Sequence, residues 1–324
     1  MTIRWGFLGA GWIATRAMAP AVHAAQGARL HAVASRSAER SAGLEPGIVH
    51  PSYDRLIEDP SVDAVYICLA NDQHLEWAIR ALAAGKHVLC EKPLGLDAGE
   101  ARRMAEAAVF ADRLLVEAVW TRWHPRFRRL AELVGSGALG EITAIDSAFT
   151  FPGQIDGNYR ADPRKGGGAL LDTGGYQVHA WADFTGGAQI VEVERANSST
   201  GPSGVDLTTE VTAVVDGVIR ATALSSFEQP EAQHLRVLGS DVLAATGIGP
   251  AFTAWREETT LIIGDHEESF APVDAYQVMV EQVSARIEGG EAWIEGGEAW
   301  IVPMSDSIRV AEVLGAIRSA AHHP

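Results

Sequence analysis

The first third of the chain alternates short apolar runs with stretches patterned for helix. Arg4–Leu8 is an apolar run ending at Gly9, Ile13–Ala25 has helical spacing, and Leu30–Ala34 is apolar again. Ala64–Leu69, His87–Cys90 and Leu114–Ala118 continue the series. Between them lie helical stretches at His74–Ala84, stopped by Gly85, and at Ala98–Phe110. Strand and helix in this rhythm predict βαβ units and a parallel sheet covered on both faces. After about Trp120 the pattern changes. A helix over Pro125–Val134 leads to a long run, Ile142–Phe151, and the glycines 166–168 precede a helix over Ala169–Phe184. Residues 205–271 then read as successive strands. Val211–Val215 and Val218–Ala223 flank Asp216-Gly217, a two-residue hairpin signal. Two helices, Tyr276–Ile287 and Ser305–Ala321, close the chain.

The expected fold class is therefore α/β with two domains. Residues 1–120 form a Rossmann-type doubly wound parallel sheet that binds a dinucleotide. Residues 121–324 form an α+β domain with a large open, mostly antiparallel sheet that binds substrate and supports oligomerisation. A length of 324 residues suits two such domains sharing one cleft. The heptapeptide Ile287–Trp293 recurs at once as Ile294–Trp300, and its glycine pairs predict a looped-out connector between the last two helices.

Charge and composition narrow the function. A formal net charge of −16 gives the chain no electrostatic reason to seek nucleic acid or an anionic membrane. No apolar run approaches membrane-spanning length, and Ile3 opens a strand with no leader pattern before it, so a soluble cytoplasmic protein is expected. The two cysteines, Cys68 and Cys90, each close an apolar run. They read as buried reduced thiols and make no metal-ligand pattern.

Candidate chemistry begins at Gly9-Ala10-Gly11-Trp12-Ile13-Ala14, a G-x-G-x-x-A loop between a strand and a helix. Gly9 allows the turn, Gly11 lets a pyrophosphate approach the backbone, and Ala14 lets helix and strand pack closely. Trp12, Ile13 and Ala14 open the helix, whose N-terminus suits the anion. Where an NAD site carries an acidic residue at the end of the second strand, this chain has Ser35-Arg36-Ser37, with Arg40 one turn on. Arg36 suits a 2′-phosphate, so NADP(H) is favoured over NAD. The fifth strand ends in Glu91-Lys92-Pro93. Pro93 biases Lys92 toward an extended conformation that aims its ammonium into the cleft. Asp172, Tyr176 and His179 are spaced to share one face of the helix after the triple glycine, which reads as a cleft wall or as a bonded polar stripe at the domain junction.

These segments, together with Ala118-Val119-Trp120-Thr121-Arg122 and Gly166-Gly167-Gly168-Ala169-Leu170-Leu171-Asp172-Thr173-Gly174-Gly175-Tyr176, resemble the Gfo/Idh/MocA oxidoreductases over almost the whole chain. Ser35-Arg36 and Trp120-Thr121-Arg122 look most like the NADP-using sugar or dihydrodiol branch. The resemblance implies that Lys92 hydrogen-bonds the reacting oxygen, that Tyr176 stands where other members carry a histidine acid/base, and that Asp172 is the aspartate one turn before it. It implies that Asn71 and His74 lie near the nicotinamide ribose, and that Glu91, Lys92 and Pro93 belong to the cofactor side. Ala70, before Asn71, departs from the usual Thr or Pro.

The chemistry is coherent: an ammonium beside a tyrosine, ordinarily of pKa about 10, favours the phenolate that accepts a hydroxyl proton. Trp120, Arg122, Asn158, Tyr159, Arg160 and His179 are the substrate-side candidates, an aromatic and polar mixture suited to a sugar, a ketosugar or a cyclic polyol or diol. Core packing is the competing reading for the tryptophans. The expected activity is an NADP-dependent dehydrogenase or reductase acting on a CH–OH group, in a homo-oligomer, dimer or tetramer. An NAD-assisted glycosidase and a non-catalytic dinucleotide sensor are the alternatives.

Overall fold

The computed structural model describes residues 1–153, 155–185, 191–289 and 300–321. Residues 290–299, and with them most of the duplicated heptapeptide, lie outside the described residues. The chain forms two compact units. The first comprises Met1–Gly95, Gly99–Trp123 and Asp274–Ser307; the second comprises Leu96–Ala98, His124–Val273 and Ile308–Pro324.

The first unit is built on six parallel strands: β1 (Ile3–Leu8), β2 (Ala28–Ala34), β3 (Ile48–His50), β4 (Ala64–Ile67), β5 (His87–Cys90) and β6 (Leu115–Glu117), in the order β3-β2-β1-β4-β5-β6. All four residues of β4 are buried, as in a strand covered on both faces. Helices α1 (Ala19–Ala24), α2 (Ala38–Ala42), α3 (Tyr53–Ile57), α4 (His74–Ala83) and α5 (Ala98–Ala111) link the strands. The register decides where the site lies. Leu8 pairs with Ala34 and with Ile67, Ile67 with Cys90, and Cys90 with Glu117. The carboxyl ends of five strands therefore finish on one line, and the loops after them share one edge of the sheet.

The helix expected over Ile13–Ala25 begins with a wider π turn, Ala14–Met18, before α1. Ala19 donates five residues back to Ala14, just ahead of Pro20, which has no N–H to give.

The second unit holds eight strands: β7 (Ile142–Thr150), β8 (Val191–Thr200), β9 (Asp206–Val215), β10 (Ile219–Ser226), β11 (Ala232–Gly239), β12 (Leu243–Thr246), β13 (Thr259–Ile263) and β14 (His266–Phe270). Their order is β14-β13-β12-β11-β7-β10-β9-β8. The β9–β10 hairpin turns at Asp216 and Gly217, with φ of 48° and 72°. Two positive φ values in a row are what a tight hairpin turn demands. The meander is interrupted once, where β7 inserts between β10 and β11 and runs parallel to β10. Helices α6 (Pro125–Gly135) and α7 (Gly175–Phe184) belong to this unit, with α7 packing on β7 and β10. Buried Gln177 pins α7 to the sheet: its carbonyl accepts from Ser147 at 3.1 Å and its amide donates to Ser225 at 2.8 Å.

Helix α8 (Ala275–Ile287), capped by Asp274, follows the second sheet in the chain but packs in the first unit against α1 and β2. There Ser284 accepts the Trp5 indole N–H at 3.1 Å. Helix α9 (Met304–Ala321) closes the chain. Among the described residues no helix is long and apolar enough to cross a membrane. Cys90 is buried and Cys68 is half-buried rather than fully enclosed; both are free thiols.

Candidate active site

The dinucleotide loop leaves β1 through Gly9, at φ 105°. A side chain there is excluded twice over, since a Cβ would lie 2.6 Å from the Cys68 carbonyl oxygen. The Cys68 thiol takes the amides of Gly11 and Ala14, which holds the loop against the end of β4. A Cβ on Gly11 would meet nothing within 4 Å, so its outer side is open to a ligand, whereas Ala14 is fully buried. Trp12 is 65% exposed at the loop tip. A tight turn, an open backbone and a helix start fit a pyrophosphate.

At the end of β2 the Ser35 hydroxyl is tied into the turn, donating to the Ser37 carbonyl at 2.8 Å and accepting from Ser41. Ser37 caps α2 by accepting the Arg40 amide. Arg36 and Arg40 are exposed. The turn is thus braced by hydroxyls, with two guanidinium groups left at its surface and no carboxylate at the strand end.

Between β4 and α4, Asn71 is buried in a short 3-10 turn, Asn71–Gln73. His74 is fully buried. Its Nδ1 lies 2.9 Å from the Pro93 carbonyl oxygen and its Nε2 lies 3.3 Å from that of Leu69. Burial lowers its pKa against the raising effect of the Pro93 and Leu69 carbonyls, and the ring works as a strut between the two turns. The Lys92–Pro93 peptide is cis. Glu91 is buried and accepts the Tyr66 hydroxyl at 2.5 Å. Burial pushes its carboxyl above the usual range, against the opposing pull of Tyr66 and Lys92. Lys92 is the one residue of Glu91–Leu94 that is not buried.

Two substrate-side candidates have partners within the first unit. Trp120 is 1% exposed and stacks on Tyr276, with centroids 6.1 Å apart. Arg122 pairs with Asp306 at 2.8 Å.

In the second unit the triple glycine folds the chain back on itself. Gly166 is left-handed, at φ 70°. A Cβ on Gly167 would lie 2.4 Å from the Arg160 carbonyl oxygen, and one on Gly168, at φ 110°, would lie 2.0 Å from Asp206 Oδ1. That close fold brings Arg160 onto Asp172 through a two-toothed ion pair of 2.8 and 3.2 Å. Burial opposes the Arg160 charge, but Asp172 and the phenols of Tyr159 and Tyr176 hold its pKa above the ordinary value. Asn158 caps the turn Tyr159–Ala161 by accepting the Arg160 amide, and the Arg160 guanidinium lies 5.0 Å from the centre of the Tyr159 ring.

The expected helix over Ala169–Phe184 starts as a π turn, Leu170–Gly174, so Asp172 and Tyr176 are not related by regular α spacing. Asp172, Tyr176 and His179 are all buried. The Tyr176 ring packs against Phe149 and Phe252 at centroid distances of 6.0 and 6.1 Å. Half-buried Asp206 accepts the Leu170 amide at 2.7 Å and the Thr209 hydroxyl at 3.0 Å, anchoring the start of this segment. Asp206, Gln177, Tyr66 and Glu117 escaped the sequence reading, because each acts on a partner remote in the chain.

Two family models meet on these elements: residues 3–118 match the oxidoreductase family with an NAD-binding Rossmann fold, and residues 127–243 match the GFO/IDH/MocA C-terminal domain. The chain belongs to the Gfo/Idh/MocA oxidoreductase family. Among its relatives is D-xylose 1-dehydrogenase (NADP(+)) 2 of Haloferax volcanii, 36% identical, the match covering 98% of this chain and 97% of that protein. Another is the dTDP-3,4-didehydro-2,6-dideoxy-alpha-D-glucose 3-reductase of Streptomyces violaceoruber, 33% identical over 99% of this chain and 96% of that one. The crystal structure of KijD10, a 3-ketoreductase from Actinomadura kijaniata in complex with NADP and TDP-benzene, superposes with a TM-score of 0.87 at 30% identity, covering 99% of this chain and 98% of that one.

Proposed function

We propose that this family member is an NADP(H)-dependent dehydrogenase or reductase that moves a hydride between the cofactor and a CH–OH carbon of a sugar, a ketosugar or a cyclic polyol or diol. The observation that carries the cofactor choice is the end of β2, where two exposed guanidinium groups and braced hydroxyls stand in place of a carboxylate. An acidic side chain there repels a 2′-phosphate, whereas Arg36 and Arg40 attract one. The NADP named for the Haloferax and Actinomadura relatives supports the same choice.

The residues fit the group: the Gly9–Ala14 loop receives the pyrophosphate at a helix start, with the open side of Gly11 facing it. When bound, the nicotinamide supplies the hydride acceptor or donor. Lys92 hydrogen-bonds the reacting oxygen and stabilises negative charge on it. Tyr176 exchanges the hydroxyl proton. Arg160, whose charge lies near the phenol, favours the phenolate that takes this proton in oxidation. Asp172 holds Arg160 in place. His74 holds the turn that carries Lys92, while Asn158 and Tyr159 flank Arg160 on the substrate side.

The reading includes a soluble cytoplasmic homo-oligomer formed through the open face of the second sheet. Leu238, Leu243 and Ile262 stand 40–44% exposed there, and sedimentation measures the assembly. The deciding experiment follows NADPH absorbance against D-xylose, D-glucose, myo-inositol, trans-1,2-dihydrobenzene-1,2-diol and a dTDP-linked ketosugar. Turnover of at least one is expected, and Lys92→Ala and Tyr176→Phe should each lower kcat at least a hundredfold while leaving NADPH binding within about threefold. Full activity in both variants, or a clear preference for NADH, overturns the reading.

A further inference from the structure

The turn Glu91–Leu94 is gripped by buried side chains from three other elements. Tyr66 of β4 donates to Glu91 at 2.5 Å, His74 at the start of α4 holds the Pro93 carbonyl at 2.9 Å, and Glu117 at the end of β6 accepts the Leu94 amide at 3.0 Å. Tyr66 and His74 are 0% exposed and Glu117 is 3% exposed. The β5–β6 register ends at Cys90 and Glu117, and Leu94, four residues farther on, lies beyond the ladder, where the Glu117 side chain takes its amide. A buried carboxylate is a costly way to satisfy one amide. Three such grips on four residues leave the backbone on either side of Lys92 with one direction, while its side chain alone emerges.

We propose that Tyr66 and Glu117 are positioning residues that aim Lys92, acting on the Glu91 carboxylate and the Leu94 amide without touching substrate. The inference rests on the reading of Lys92 as the group at the reacting oxygen. A displacement of about 1 Å at such a group is worth about a hundredfold in rate.

The chain has three lysines, Lys86, Lys92 and Lys165, so reductive 13C-methylation of the NADP+-loaded protein yields a lysine spectrum that can be assigned in full. Loss of a signal in Lys92→Arg identifies Lys92. In Tyr66→Phe, which keeps the ring and its packing, and in Glu117→Ala, that signal should move by more than its linewidth while the Lys165 signal stays. With the best substrate of the panel, kcat should fall at least tenfold in Glu117→Ala with the KM for NADPH within about threefold, and Glu117→Gln, which keeps an acceptor oxygen, should restore most of it. On a Lys92→Ala background Glu117→Ala should cost nothing further. An unmoved Lys92 signal in Tyr66→Phe, or an equal loss on the Lys92→Ala background, overturns the proposal. If Lys92→Ala itself retains full turnover, the reading of Lys92 fails instead, and the spectrum still decides whether Tyr66 and Glu117 position it.

Discussion

Replacing Arg160 by methionine removes the guanidinium and keeps the length of the side chain. Asp172, with 9% of its side chain exposed, then loses both bonds of its ion pair. Breaking a fully buried pair from one side costs about 3–5 kcal/mol. Arg160 is 32% exposed, so water reaches the vacated side and the lower end, about 3 kcal/mol, applies. For a unit of this size that corresponds to a fall in Tm of about 6–12 °C, read by calorimetry or circular dichroism. The change also withdraws the positive charge near the Tyr176 phenol, so the phenolate is less favoured. The acid limb of kcat for substrate oxidation should therefore move to higher pH. A double variant, Arg160→Met with Asp172→Leu, leaves no charge to bury and should recover most of the lost Tm without recovering activity. A Tm within 1 °C of the parent in Arg160→Met, together with an acid limb that stays or moves down, refutes the reasoning.

Other positions separate folding from binding. Gly11→Ala places a Cβ in open space, so Tm should be unchanged while NADPH binding, followed by fluorescence titration, weakens at least tenfold; equal binding removes Gly11 from the pyrophosphate site. Arg36→Ala should raise the KM for NADPH about tenfold or more and leave that for NADH unchanged; parallel changes in both would detach Arg36 from the 2′-phosphate. His124 caps α6 by accepting the Arg126 amide, and burial, joined by the neighbouring Arg126 charge, brings its pKa down to about 3. The unfolded chain binds this proton first, so stability is full above about pH 6.5 and is lost as pH falls toward 3. His124→Asn keeps a capping acceptor, and its urea midpoint should fall less over that window; an identical pH slope contradicts the assignment.

Much of the fold was legible because it was written in local pattern. The glycine at position 9 between a strand and a helix, the alternation up to Glu117 and the Asp216-Gly217 turn each depend on neighbours in the chain. What escaped depends on distant partners. The spacing of Asp172, Tyr176 and His179 implied a regular helix, but the Leu170 amide is held by Asp206, 36 residues away, and a π turn shifts the phase of the segment. Asp172 was expected as the aspartate one turn before Tyr176; its ion pair with Arg160, brought in by the folded-back glycines, was not legible in the spacing. The partners of Trp120 and Arg122, Tyr276 and Asp306, were not legible because they lie more than 150 residues downstream.

That late arrival gives α8 a role in time as well as in space. When the ribosome has released Met1–Trp123, the dinucleotide sheet has its six strands, but Trp5 has no Ser284 and Trp120 no Tyr276. At ordinary elongation rates of about 5–20 residues per second, the missing helix emerges roughly ten to thirty seconds later. Through that interval the face of α1 and β2 that α8 covers stays uncovered on the nascent chain. The dinucleotide-binding unit is thus begun at β1 and finished only after the whole second sheet has been made, so a product terminated before α8 carries the glycine loop on a sheet that lacks this covering helix.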